Sequence, residues 1–167
     1  AVAGTGNSKS ISYTPTVNFY GNDSFSVSIS DGNGATDNIT VNVTVSSVND
    51  LPSATAQAVS GSEDSSISIT LAGSDIDGLI ASYNVGTPTN GTLSGTAPNL
   101  TYTPNADYNG NDSFTFSVTD NEGGTSTSAT VAITITSVND VPTANSQAGI
   151  SVDEDSSVNI TLTGSDI

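Results

Sequence analysis

The chain has no cysteine, methionine, tryptophan or histidine, and its 167 residues carry a single basic side chain, Lys9. Each absence removes a class of chemistry. Without cysteine there are no disulfide staples and no thiolate ligands. Without histidine as well, the usual zinc and haem centres and the imidazole general base cannot be assembled. Seventeen acidic residues against one basic residue leave a net charge of −16. Such a surface repels nucleic acid and anionic lipid and attracts cations. No apolar run approaches the roughly 20 residues that cross a bilayer, so no membrane insertion is expected of this segment. No charged start followed by an apolar core marks a signal peptide. The sequence begins part-way through a pattern, and the expectation is a piece of a longer protein.

What is present is repetition. "YTPTVNFYGNDSFSVSISDGNG" from Tyr13 returns as "YTPNADYNGNDSFTFSVTDNEGG" from Tyr102. "GSEDSSISITLAGSDI" from Gly61 returns as "SVDEDSSVNITLTGSDI" from Ser151, and "SVNDLP" from Ser47 as "SVNDVP" from Ser137. The period of about 90 residues is the size of one small β-sandwich. High acidity with few aromatics can signal disorder, but here the apolar residues alternate strictly. Phe114, Phe116 and Val118 interleave with serine and threonine, as do Val131, Ile133 and Ile135, and Ile67, Ile69 and Leu71. Period-two alternation predicts antiparallel strands with one face on a core. Turn-forming clusters such as "SDIDG", "PTNG" and "DNEGG" separate them. No window shows a helical period.

The expected fold is therefore all-β: tandem Ig- or cadherin-like antiparallel β-sandwich repeats. Residues 1–50 read as the C-terminal part of one repeat, 51–140 as a complete repeat, and 141–167 as the N-terminal part of a third. In the complete repeat the spacing predicts strands A near 54–59, B at 66–71, C at 80–85, D near 91–94, E at 99–103, F at 113–119 and G at 125–138.

Antiparallel strands sort their loops onto two ends of a sandwich. One end of the complete repeat should collect Asn49 and Asp50 from the preceding linker, Asp75 and Asp77 from the B–C loop, and Asp120 and Glu122 from the F–G turn. The opposite end should collect Glu63 and Asp64 from the A–B loop, Asp107 from the E–F loop, Asn139 and Asp140 from the exit of strand G, and Asp166 from the following repeat. Carboxylates crowded this way repel one another, with no Arg or Lys to offset them. A hard divalent cation would offset them. Calcium accepts six to eight oxygen ligands in flexible geometry, whereas magnesium demands a tight octahedron. The expected metal ligands are Asn49, Asp50, Asp75, Asp77, Asp120, Glu63, Asp107, Asn139, Asp140 and Asp166, with Ca2+ as the ion. Asp23 and Asp112, in "GNDSF", are expected to cap the turn into strand F. Tyr13, Tyr102, Phe25 and Phe114 are expected in the core.

These residues carry a resemblance. "SVNDLP" and "SVNDVP" resemble the acidic interdomain linker of cadherins, and "SDIDG" resembles their paired-aspartate loop. "EDSS" stands where that family places its early-domain glutamate. With "NADYNGNDSFTFSVTDNEGG", the whole chain is similar to the cadherin-like and Ig-like tandem repeats of large bacterial surface or secreted adhesins. The linker has Ser47 and Leu51 or Val141 in place of the family's flanking residues, which implies fewer ions per junction than in animal cadherins. The resemblance implies an extracellular, calcium-stiffened shaft used in cell-surface attachment, whose partners are calcium ions and neighbouring repeats. Two alternatives stay open. One is a filament subunit whose split ends pair head-to-tail with other copies by strand exchange. The other is a glycan- or protein-binding module. Carboxylate pairs alone do not make a glycosidase, and no aromatic cleft accompanies them, so no enzyme is expected.

Overall fold

In the computed structural model the described residues are 10–167, so the first nine positions of the expected partial repeat 1–50 lie outside them. They form thirteen strands, β1 to β13 in chain order, and no helix. The chain divides into two compact units, Ala1–Asp50 and Leu51–Ile167.

The first unit holds β1 (Gly21–Ser30) and β2 (Thr36–Val45), an antiparallel hairpin in continuous register from Gly21 opposite Val45 to Ser30 opposite Thr36. The alternation read from the sequence puts Phe25 and Val27 with Val41 and Val43 half-buried on one face. The ring of Tyr13 lies parallel to that of Phe25, with centroids 6.2 Å apart.

The second unit contains a complete sandwich. One sheet is ordered β4 (Gln57–Ser62), β11 (Ala129–Thr136), β10 (Gly110–Asp120), β7 (Ile80–Val85). The facing strands are β5 (Ile67–Thr70), β9 (Asn99–Pro104) and β8 (Gly91–Thr96), with a short pair, β3 (Ser53–Thr55) and β6 (Ala72–Ser74). Between the layers lie Ile69, Tyr102, Phe116, Val118, Val131 and Ile133, each at most 2% exposed. Burying a side chain such as Phe116 stabilises the sandwich by about 1.5–3 kcal/mol.

The predicted strands are present, with differences that have physical causes. Strand A splits: β3 pairs antiparallel with β6, and then β4 crosses to run parallel with β11, from Val131 opposite Gln57 to Thr136 opposite Ser62. Strand B splits into β5 and β6 across the buried Leu71, whose N–H donates to Pro98 O at 2.8 Å. Strand G starts at Ala129 rather than 125, the segment before it meeting the sheet through a single bridge from Thr125 to Thr119. Beyond the sandwich, β12 (Thr143–Ala144) pairs with β13 (Gly164–Ser165) in the register that β3 and β6 use.

A half-buried knot ties β9 to β10. Tyr102 Oη donates to Asp112 Oδ2 at 2.8 Å, and Asp112 also accepts the backbone N–H groups of Asn90 (2.8 Å), Ser113 (2.8 Å) and Thr89 (3.1 Å). Partial burial works to raise the Asp112 pKa, but these four donors outweigh it and hold the carboxyl below its usual value. Burial, and then the Asp112 carboxylate, push the Tyr102 hydroxyl well above its ordinary value. The first unit repeats the tie: Tyr13 Oη donates to Asp23 Oδ2 at 2.8 Å. The capping expected of Asp23 and Asp112 is there, through Ser24 N–H at 2.7 Å and Ser113 N–H at 2.8 Å, but the tyrosine hydroxyl is a further partner.

Candidate functional site

The exit of β11 gathers acids from four segments of the second unit. Glu63 follows β4 in the A–B loop and is 3% exposed. Its N–H donates to Thr136 O at 3.0 Å, while its Oε1 accepts Val138 N–H at 2.6 Å. The carboxylate thus pins the first residues of the linker to the loop. Asp64, the next residue in the A–B loop, and Asp107, in the E–F loop, both have left-handed backbone, at φ 48° and 58°. Asp and Asn tolerate that conformation better than other side chains, which is why these turns carry them. Asn139 Nδ2 donates to Asp140 O at 2.9 Å, folding the linker on itself. Asp166 follows β13.

The electrostatics of this end converge on Asp140. Partial burial raises its pKa, and so do the charges of Asp64, Asp107, Glu63 and Asp166. Four carboxylates from three other segments therefore act on Asp140. Among the described residues, however, no three acidic side chains are drawn together as a ligating set. Like charges hold one another apart unless a positive charge intervenes.

At the other end of the sandwich the B–C loop meets the F–G turn. Leu79 N–H donates to Asn121 Oδ1 at 2.7 Å, and Asn121 N–H donates to Leu79 O at 3.0 Å. Asp120 is 2% exposed, and its Oδ1 accepts Glu122 N–H and Gly124 N–H, each at 2.8 Å. One of its oxygens is thus committed to building the turn. Asp75 Oδ2 and Asn121 Oδ1 both stand 2.6 Å from the point a Cβ on Gly78 would occupy, so any larger residue there would displace the two oxygens. Both carboxylate oxygens of Asp75 are shut off from solvent and accept no hydrogen bond. An ionised carboxylate in that state is costly unless a cation faces it. Asp77 is half-buried in the same loop, and Asn49 and Asp50, also half-buried, close the first unit.

The donor set at both ends is carboxylate and amide oxygen throughout, the hard-oxygen chemistry of calcium rather than of softer metals. The orphaned oxygens of Asp75 fit a cation; the spread acids around Asp140 fit one in kind but stand apart in position. Sequence reasoning did not anticipate Asn121, whose amide joins the two loops. The signal available for it was the polar residue directly after Asp120.

The family described as bacterial Ig domain matches residues 1–44 and 49–134. The chain belongs to the bacterial Ig domain family. No curated protein sequence matches the chain significantly. Among solved structures, fibronectin(III)-like modules of CbhA from Clostridium thermocellum are 19% identical, with a TM-score of 0.38 over 71% of this chain and 64% of theirs. An endo-fucoidan hydrolase of glycoside hydrolase family 107 is 24% identical, with a TM-score of 0.40 over 74% of this chain and 20% of that one. This bacterial Ig chain spans less than two thirds of the length of either.

Proposed function

We propose that this bacterial Ig chain is a segment of an extracellular rod, in which calcium at the ends of each sandwich stiffens consecutive repeats so that the array holds a binding tip away from a surface. The observation that carries this reading is Asp140, whose pKa is raised by partial burial and then by the charges of Asp64, Asp107, Glu63 and Asp166, with no basic side chain among the described residues to offset them. A bound divalent cation supplies the positive charge that lets such carboxylates ionise side by side. Glu63 and Asp140 hold the linker, Asp64 and Asp107 line the two turns beneath it, and Asp166 brings in the next repeat. The buried, hydrogen-bond-free oxygens of Asp75 support a similar arrangement at the opposite end. With calcium the linker acids are neutralised and one arrangement of neighbouring repeats is favoured; with chelator their repulsion favours many.

The test is calorimetric titration of the chain with calcium, in parallel with D140N and with N38D as a surface control. Binding by the wild type and the control, with loss of the event in D140N, supports the reading. Equal binding by D140N, or none by the wild type, removes it.

A further inference from the structure

The chain holds three Asn-Gly pairs, beginning at Asn33, Asn90 and Asn109. In such a pair the glycine nitrogen can attack the asparagine Cγ. A new N–Cγ bond forms, the Cγ–Nδ2 bond breaks, and ammonia leaves a cyclic imide. Water then opens either imide bond, giving aspartate or isoaspartate. The reaction needs a side chain and a following backbone nitrogen that move freely against one another, so local structure decides which pair reacts.

Asn90 is held at every polar group that matters. Its Nδ2 donates to Tyr108 Oη at 3.1 Å, its N–H to Asp112 Oδ2 at 2.8 Å, and its carbonyl accepts Asn105 N–H at 2.9 Å. Gly91 opens β8 opposite Pro104. Asn109 is exposed, but Gly110 opens β10 opposite Ile135. Asn33 differs from both. It lies in the exposed turn between β1 and β2, and among the described residues neither its side-chain amide nor the Gly34 N–H makes a hydrogen bond. Nothing lies within 4 Å of the Cβ position on Gly34.

We propose that Asn33 is a spontaneous deamidation site, and that its product gives the first repeat the acidic turn that the second repeat encodes. The two turns have one construction. Asp31 Oδ1 accepts Asn33 N–H at 2.7 Å and Ala35 N–H at 3.1 Å, as Asp120 Oδ1 accepts Glu122 and Gly124 N–H. Asp31 N–H donates to Ala35 O and Asp120 N–H to Gly124 O. Gly34 and Gly123 share left-handed backbone, at φ 101° and 96°. Asn33 therefore occupies the place of Glu122, and loss of its amide puts a carboxylate there. This inference does not depend on the cation reading.

The test ages the chain at mildly alkaline pH, digests samples at intervals and follows each Asn-Gly peptide by mass spectrometry. Asn33 should convert at least about tenfold faster than Asn90, because its side-chain amide and the Gly34 N–H are unbonded in an exposed turn, whereas Asn90 must first break three hydrogen bonds. In strong urea the three rates should draw together. Equal rates at Asn33 and Asn90 in the folded chain would overturn the proposal, as would a slow Asn90 in urea. N33Q, checked for native circular dichroism, should abolish the earliest acidic species on ion exchange; its persistence counts against Asn33.

Discussion

Removing the hydroxyl of Tyr102 should cost the sandwich far more than one oxygen atom suggests. Tyr102 is fully buried, and its hydroxyl is one of four donors to Asp112. A hydrogen bond to a charged acceptor contributes about 1.5–3 kcal/mol, so Y102F should destabilise by about that amount. For a domain of this size each kcal/mol lowers Tm by roughly 4–8 °C. D112A strands the hydroxyl and the half-buried Asn90 N–H together, and two desolvated donors imply a loss of about 2–5 kcal/mol. Because both substitutions break the same bond, the double variant should fall short of the sum by about 1–2 kcal/mol. The pH dependence follows from the sign of the shift. Asp112 is held below its ordinary value, so its contribution is fully present above the unfolded carboxylate pKa and is lost as pH falls through the folded one. Urea denaturation from neutral to acid pH on the four proteins reads all of this. A Y102F loss below about 0.5 kcal/mol, or strict additivity in the cycle, would refute the reasoning.

Three further outcomes are expected. F116A should lose about 3–5 kcal/mol in the same denaturation assay, since the ring is 1% exposed at the centre of the sandwich. G91A should destabilise by about 1–3 kcal/mol, because the new methyl would lie 2.5 Å from the Tyr102 ring and 2.6 Å from Thr103 O, leaving no space to relax into. D140N removes the charge on which four neighbouring carboxylates act, so thermal melts in chelator should find it no less stable than the wild type, and melts in calcium should find it less stable.

Strand positions were open to a reading of the sequence because alternation reports burial directly. Val131, Ile133 and Ile135 are buried while Thr130, Ala132 and Thr134 are exposed, and the expected strand C coincides with β7. Pairing was not open to it. Alternation says which face of a strand is apolar, not which neighbour it takes, so the crossing of strand A from β6 to β11 left no mark in the pattern. The run Phe116, Ser117, Val118 also breaks the rule, since all three are buried where β10 leaves β11 at Phe116 and continues along β7. Loop parity, which strand direction alone determines, leads one to expect Glu63, Asp64, Asp107, Asp140 and Asp166 at one end; the structure adds that the charges of the other four act on Asp140. The Tyr102–Asp112 tie was missed, although both repeats show its signal: a tyrosine ten residues before the aspartate, in "YTP" and then "NDSF".

Small-angle scattering on the chain in calcium and in chelator asks whether the ion straightens the array by neutralising the acids around Asp140. A longer maximum dimension and a narrower distribution of shapes are expected in calcium, with D140N resembling the chelated wild type in both conditions. Superimposable profiles with and without the ion would contradict it.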